Sequence, residues 1–245
     1  MRIKKILSRS FMAVCMCSIL ALTGCGAVDD SSGSNANDAS EVAKESGDES
    51  VTSSSDDSSG DTASDSTVSS ATGYSFNGKS FVITLYPEVA PITCANFQKL
   101  VEQGFYNGLT FHRVVDAFMA QGGDPLGNGT GGSEETIKGE FSSNGVDNGI
   151  SHQRGVISMA RSGDPDSASS QFFICYADCT FLDGDYAAFG EVTEGMEVVD
   201  GFLEVPRSMG GDGAVSAPDD NIVMDKVEMI EPDANGNPRV QVTMK

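Results

Sequence analysis

Between Gly26 and Thr72 the chain is built of Ser, Asp, Glu, Gly, Ala and Asn, with hardly an apolar side chain among them. Such a segment cannot bury enough surface to offset the entropy lost on ordering its backbone. Whatever folds in this chain of 245 residues must therefore fold from what flanks it. The segment also holds 11 acids against one base, Lys44, a net charge of −10. As a flexible coil of roughly 47 residues it would hold its ends about 35 to 40 Å apart, and its own repulsion extends it further.

What precedes it cannot be a domain. Arg2, Lys4, Lys5 and Arg9 lead into an apolar run from Phe11 to Leu22. That is the order of charge and hydrophobicity in a secretory signal, and the run falls short of the roughly 20 apolar residues that a membrane span needs. The run ends in Leu22-Thr23-Gly24-Cys25, which resembles the lipobox of bacterial lipoproteins. The resemblance implies that residues 1–24 are a signal peptide and that Cys25 becomes the lipid-bearing N-terminus. Residues 25–72 are then a lipid anchor and an acidic tether, and the protein is extracytoplasmic, anchored to the bacterial cell membrane.

Of the 36 acids and 15 bases in the chain, 25 acids and 10 bases fall in residues 73–245, which gives that part a net charge of −15. A surface of this sign argues against nucleic acid as a partner, because phosphate contacts need cations. Cys94, Cys175 and Cys179 remain in this part, at spacings that fit no zinc site, and His112 and His152 stand far apart. Small buried apolar groups are the expected role of these thiols; whether any two pair is left open.

Phe81 to Tyr86 alternates and stops at Pro87, which predicts a strand. Pro91 opens a helix of about three turns with Phe97, Leu100 and Val101 on one face, and Gly104 suits its left-handed end. Further strands are expected over Val156–Ala160, Gln171–Tyr176, Ala187–Val192 and Ile222–Ile230, with a second short helix over Met196–Phe202 and a C-terminal tail over 232–245. Gly127 to Ser133 reads as a flexible rim loop, since the lysine and the strand-to-helix context of a phosphate loop are missing. Many short strands with two separated helices indicate a mainly β fold, a closed or nearly closed antiparallel sheet capped at its ends.

The stretch Phe111 to Gln121 sets one cation, Arg113, among apolar and aromatic residues before Gly122-Gly123-Asp124. Strand alternation puts Phe111 and Arg113 on one face, with His112 and Val114 on the other, and pairs Met119 with Gln121 on a second run. The plainer reading makes Arg113 a rim residue whose stem lies over Phe111 and Phe118. There is no Gly-x-Ser-x-Gly and no His-Glu-x-x-His, and Asp164, Asp166, Asp183 and Asp185 read as solvated turns. What remains is an arginine, an amide and several aromatics with no nucleophile, a set suited to chemistry that breaks no covalent bond.

Four segments then make the chain from about Tyr74 to Ile230 resemble a cyclophilin, a peptidyl-prolyl cis-trans isomerase. They are Phe111-His112-Arg113; Phe118 to Asp124; Ser158-Met159-Ala160 followed by Ser170 to Ile174; and Leu182-Asp183-Gly184 with Phe189-Gly190. The resemblance implies a closed eight-stranded antiparallel barrel capped by two α-helices over residues 73–231, with no cofactor and no metal. Arg113 matches the catalytic arginine, and Phe118, Met119 and Phe173 match the pocket for the proline ring. Gln121 and Gln171 match polar groups beside it, Ala160 and the next backbone unit match the edge along which the peptide lies, and Phe181 and Leu182 complete the rim. Proline-containing polypeptides are the implied partners of a monomer, with a peptide-binding module or chaperone of little turnover as the alternative function.

Three positions depart from the pattern best known in eukaryotic members. Phe181 stands where tryptophan is common, Tyr186 where histidine is common and Arg161 where asparagine is common. Loss of the indole N–H should weaken cyclosporin binding more than isomerisation. His112 is expected to be a hydrogen-bonded structural residue, and His152 structural as well. Strict alternation cannot send Phe118, Met119 and Gln121 to one face, so a bend or bulge is expected near Ala117.

Overall fold

The computed structural model describes residues 75–245; the signal segment, Cys25 and the acidic tether lie outside the described residues. Within them lie β1 (Ser80–Leu85), β2 (Thr110–Val115), β3 (Met119–Asp124), β4 (Val156–Met159), β5 (Phe172–Cys175) and β6 (Ala188–Glu194). A short hairpin follows, β7 (Arg207–Met209) and β8 (Val215–Pro218), and then β9 (Ile222–Ile230) and β10 (Arg239–Met244). β1, β10, β9, β2, β3, β5, β4 and β6 pair in that order, and β6 pairs back to β1, every pair antiparallel. Closure leaves the barrel without an edge strand, and the expected eight-stranded barrel with two helices is the fold that forms.

The expected C-terminal tail is a correction. Arg239–Met244 is a barrel strand, with Val240 facing Ile83 on one neighbour and Met229 on the other. Val240, Val242 and Met244 are buried while Arg239, Gln241 and Thr243 are partly exposed, a period of two that the sequence carries in full. Asp233 turns the chain between β9 and β10 by accepting the N–H groups of Asn235 and Asn237, each at 2.8 Å. The barrel therefore extends past residue 231 to include β10.

The barrel is filled, not hollow. Phe97 reaches in from helix α1 (Pro91–Glu102), with ring centroids 5.5 Å from Phe172 and 5.2 Å from Phe189. Phe111 packs between Phe172 at 5.8 Å and Phe202 at 4.8 Å, and Phe202 sits just beyond the short helix α2 (Met196–Asp200). Such aromatic pairs add about 0.5 to 1.5 kcal/mol each to the area they bury.

α1 starts and stops for separate reasons. Pro91 opens it, and Gly104 at φ 68° closes it, with Phe105 N–H on Leu100 O and Gly104 N–H on Val101 O. Its N-terminus has no cap from Ala90 and no acid in the first turn. The cap comes from afar: Glu140, 2% exposed, accepts the N–H of Ile92 at 3.0 Å and both the N–H and O–H of Thr93 at 2.7 Å. That carboxylate meets the positive end of the helix and ties it to a loop 47 residues away. Glu140→Ala should cost about 1 to 3 kcal/mol, because it strands buried donors of the first turn; a chemical-denaturation midpoint that does not move would refute the cap.

Candidate active site

Period two divides three neighbouring strands into a core face and a site face. On β3, Ala120 and Gly122 turn to the core, and Met119 and Gln121 turn out. On β5, Phe172 and Ile174 turn in, and Phe173 and Cys175 turn out. The registers set Gln121 opposite Phe173 and Phe173 opposite Ser158 of β4. A second apolar cluster grows on this outer face, made of Met119, Ala160, Phe173, Cys175, Cys179 and Leu182, with Phe118 and Tyr186 packed against it. Met119 and Phe173 are 0% exposed and form its floor; Phe118, Tyr186 and Phe181 supply what solvent reaches.

Phe118 joins the cluster because the chain turns before it. Ala117 has φ 54°, Phe118 N–H donates to Val115 O, and the turn is tied to the end of β5 through Tyr176 N–H on Phe118 O at 2.8 Å. The bend expected near Ala117 is present, and Phe118 precedes β3 instead of lying within it. A second irregularity was not expected. Pairing slips at His112, so that Phe111 and Val114, not Phe111 and Arg113, are the residues of β2 that enter the core. This bulge frees Arg113 to face the outer cluster.

Arg113 heads a continuous polar chain. Its Nη1 approaches Gln121 Oε1 at 3.4 Å and Met119 Sδ at 3.8 Å, and its Cζ lies 5.8 Å from the Phe118 ring centre. Gln121 Nε2 donates to Gln171 Oε1 at 2.8 Å, and Gln171 Nε2 donates to the carbonyls of Gly129 and Gly131. The glycine-rich loop expected to be a flexible rim is thus the acceptor end of this chain. The buried Asp124 holds it by accepting N–H groups from Leu126, Asn128 and Gly129. Burial raises the Asp124 carboxyl, but those backbone donors outweigh it and keep it below the usual carboxylate range.

At the other end Arg113 Nε–H donates to Asp212 Oδ2 at 2.5 Å. Burial pushes the Asp212 carboxyl up, while hydrogen bonds from Arg113, Ser216 and Ala214 hold it down, and the net direction is downward. Sequence reasoning missed Asp212 entirely. The signal within reach was Gly210-Gly211-Asp212-Gly213, turn residues between two short alternating runs that could have announced the β7–β8 hairpin. No sequence pattern pairs positions 113 and 212.

Every residue singled out for the peptide site lies at this face, while Cys25 is outside the described residues. Phe181 is 59% exposed with its ring 5.7 Å from that of Phe118, and Leu182 is buried beside it in a short 3₁₀ turn. Ala160 N–H donates to Gln171 O at 3.0 Å. Arg161 lies 4.7 Å from the Tyr186 ring and 5.2 Å from that of Phe141, and its guanidinium donates to the carbonyls of Asp185 and Ser162. It stiffens the wall that bears Tyr186. The three thiols are free and buried, as small apolar groups.

Neither histidine is placed for acid–base work. His152 stacks on Phe173 at 6.1 Å, with Nδ1 on Asp183 Oδ1 at 2.8 Å and Nε2 on Ser158 Oγ at 3.0 Å. Asp, His and Ser in line suggest a nucleophile, but Ser158 is 0% exposed beneath the cluster and cannot meet a substrate. The line fixes the Phe173 ring instead. The ring nitrogens of His112 find no hydrogen-bond partner among the described residues, which corrects the expectation of a hydrogen-bonded histidine. His112 lines a separate groove of about 130 Å³ with Thr110, Gly127 and Asn221.

Comparison with known proteins follows the same segments. The family profile described as "Cyclophilin type peptidyl-prolyl cis-trans isomerase/CLD" matches residues 70–229. Peptidyl-prolyl cis-trans isomerase B of Bacillus subtilis is 48% identical over 128 residues, which cover 51% of this chain and 86% of that protein. A peptidyl-prolyl cis-trans isomerase of Helicobacter pylori is 46% identical over 126 residues, 51% of this chain and 75% of that one. A crystal structure of a Cryptosporidium parvum cyclophilin type peptidyl-prolyl cis-trans isomerase in the presence of the dipeptide Ala-Pro is similar, with a TM-score of 0.52 at 30% identity. That match covers 59% of this chain and 88% of the other.

Burial lowers the pKa of both histidines; Asp183 only partly opposes this at His152, as Asp124 does at His112. An unfolded chain, whose histidines titrate near 6.5, then binds protons that the folded one refuses, so stability falls as pH drops through about 6.5. The lowered carboxyls of Asp124, Asp183 and Asp212 act only further down, in the carboxylate range. The thermal midpoint should therefore decline from pH 7.5 to pH 5, with a shallower decline in His112→Leu; an equal slope in that variant would contradict the lowered pKa of His112.

Proposed function

The chain belongs to the cyclophilin-type peptidyl-prolyl cis-trans isomerases, and we propose that it turns X-Pro bonds in exported proteins by using Arg113 to stabilise the twisted amide. The observation that carries this reading is the placing of the guanidinium: its Nη1 end is directed to Met119 and Gln121 at the border of the apolar cluster.

Rotation about X-Pro meets a barrier of roughly 18 to 20 kcal/mol, because the C–N bond must lose its partial double character. Unassisted, exchange takes about 10 to 100 s. In the twisted state the prolyl nitrogen regains its lone pair, and a donor near it or near the adjacent carbonyl binds that state better than either planar one. This is differential binding. A charge-assisted hydrogen bond of about 1.5 to 3 kcal/mol gives roughly 10- to 150-fold at 1.36 kcal/mol per decade. The remainder falls to the apolar cluster, which holds the ring out of water while the other side of the bond turns. No proton moves, which suits a site with His152 buried beneath Phe173 and His112 lining another groove.

The leader, Cys25 and the acidic tether place this activity, in our reading, outside the cytoplasm on a lipid anchor, where a monomeric domain meets newly exported chains. Slow proline isomerisation limits the folding of such clients.

Substoichiometric protein should broaden the cis and trans NMR signals of an X-Pro peptide. Arg113→Ala should reduce kcat/KM at least about tenfold, the size of a lost charged hydrogen bond, with the circular dichroism of the wild type; near-normal exchange in this variant would sink the role of Arg113. With Phe181 supplying apolar area and no indole N–H, catalysis should persist at nanomolar cyclosporin, and inhibition at that concentration would contradict this account of Phe181.

A further inference from the structure

A guanidinium at the rim of an apolar cluster has five N–H donors and many ways to lie. Arg113 has one edge fixed. Its Nε–H is held by Asp212 Oδ2 at 2.5 Å, with the two side chains only 19% and 11% exposed. The other carboxylate oxygen is held in turn, because Asp212 Oδ1 accepts Ser216 O–H at 2.7 Å and Ala214 N–H at 3.1 Å. The hairpin that carries Asp212 is shaped for this seat. A Cβ on Gly210 would meet Ser216 Oγ at 2.2 Å and Asp212 Oδ1 at 2.8 Å, and Gly213 closes the turn at φ 76°. Asp212 thus sits in a socket built by its own turn, and the socket points at Arg113.

We propose that Asp212 is a positioning residue for the isomerase reaction: by holding the Nε edge of Arg113 it turns the Nη edge toward the proline site and keeps the cation there when water leaves. The inference rests on the reading of Arg113 as the group that meets the twisted amide. A carboxylate on the Nε edge leaves the terminal nitrogens for the substrate. It also balances a charge that would otherwise swing toward solvent, since a desolvated, uncompensated cation is strongly disfavoured. The effect belongs to the transition state, where the alignment of the donor matters, more than to ground-state binding of the proline ring, which the apolar cluster provides.

The test is a double-mutant cycle read by peptide exchange kinetics well below the thermal midpoint. Asp212→Ala should lower kcat about tenfold while KM moves less than about twofold, and should cost nothing further in an Arg113→Ala background. Asp212→Asn, which keeps one acceptor oxygen and loses the charge, should fall between. Wild-type kcat in Asp212→Ala beside a crippled Arg113→Ala would overturn the inference and leave the role of Arg113 standing. An equal loss from Asp212→Ala in both backgrounds would also overturn it, by showing damage to the hairpin that does not pass through Arg113. Near-normal turnover in Arg113→Ala alone would remove the catalytic reading, and this inference with it.

Discussion

A positive charge at the border of an apolar cluster is the constraint around which the site is arranged. Placing a guanidinium where water is scarce costs several kcal/mol unless its donors are engaged. Here they are engaged in sequence: Asp212 on one edge, Gln121 on the other, Gln171 behind Gln121, and the Gly129 and Gly131 carbonyls behind Gln171. Each amide in that line has its orientation fixed by the next, since Gln171 must present its oxygen to Gln121 and its nitrogen to the loop. The buried Asp124 is therefore part of what aims Arg113, because it holds the loop that ends the line.

The second constraint is that one sheet serves two clusters. Phe172 and Ile174 fill the barrel while Phe173 and Cys175 floor the site, so β5 has no solvent face at all. Space for this is made by small residues on β3. A Cβ on Gly122 would come within 3.0 Å of the Phe111 ring, and one on Gly123, at φ 81°, within 2.6 Å of Ser170 O. The Gly122-Gly123 pair lets Phe111 and Tyr106 approach the strand that carries Met119 and Gln121, which couples core packing to site geometry.

Much of this was legible because it is periodic. The strands over Phe81, Val156, Phe172 and Ala188 and the helix over Pro91–Glu102 follow from spacing, and Ile222–Ile230 falls where it was expected. β10 is equally periodic in the sequence, with Val240, Val242 and Met244 buried. Other features have no local signature. The slip at His112 is imposed by tertiary packing: Val114 goes to the core, and alternation from Phe111 would have denied that. The Glu140 cap, the Asp212 pair and the Asp183–His152–Ser158 line join residues that are remote in sequence, and each depends on where the barrel sets its loops. The residues named for the peptide site from the family resemblance gather at one face; the groups that orient them carry no local signal in the sequence.

The sign of the charge at the site bears on what it can select. The domain carries a net charge of −15, yet the charged group at the border of the apolar cluster is a cation, and a free cation in such a field would draw acidic segments or neighbouring carboxylates to itself. Asp212 already supplies that carboxylate from within, and Arg161 is engaged by the Asp185 and Ser162 carbonyls between two aromatic rings. With both arginines matched, little unbalanced charge is offered to a passing peptide. Affinity must then come from the apolar area of Phe118, Tyr186 and Phe181, at about 25 cal/mol per Å² of surface removed from water. Apolar holding of this kind is compatible with an isomerase, since tighter uniform binding of both planar isomers would lower KM without quickening the turn.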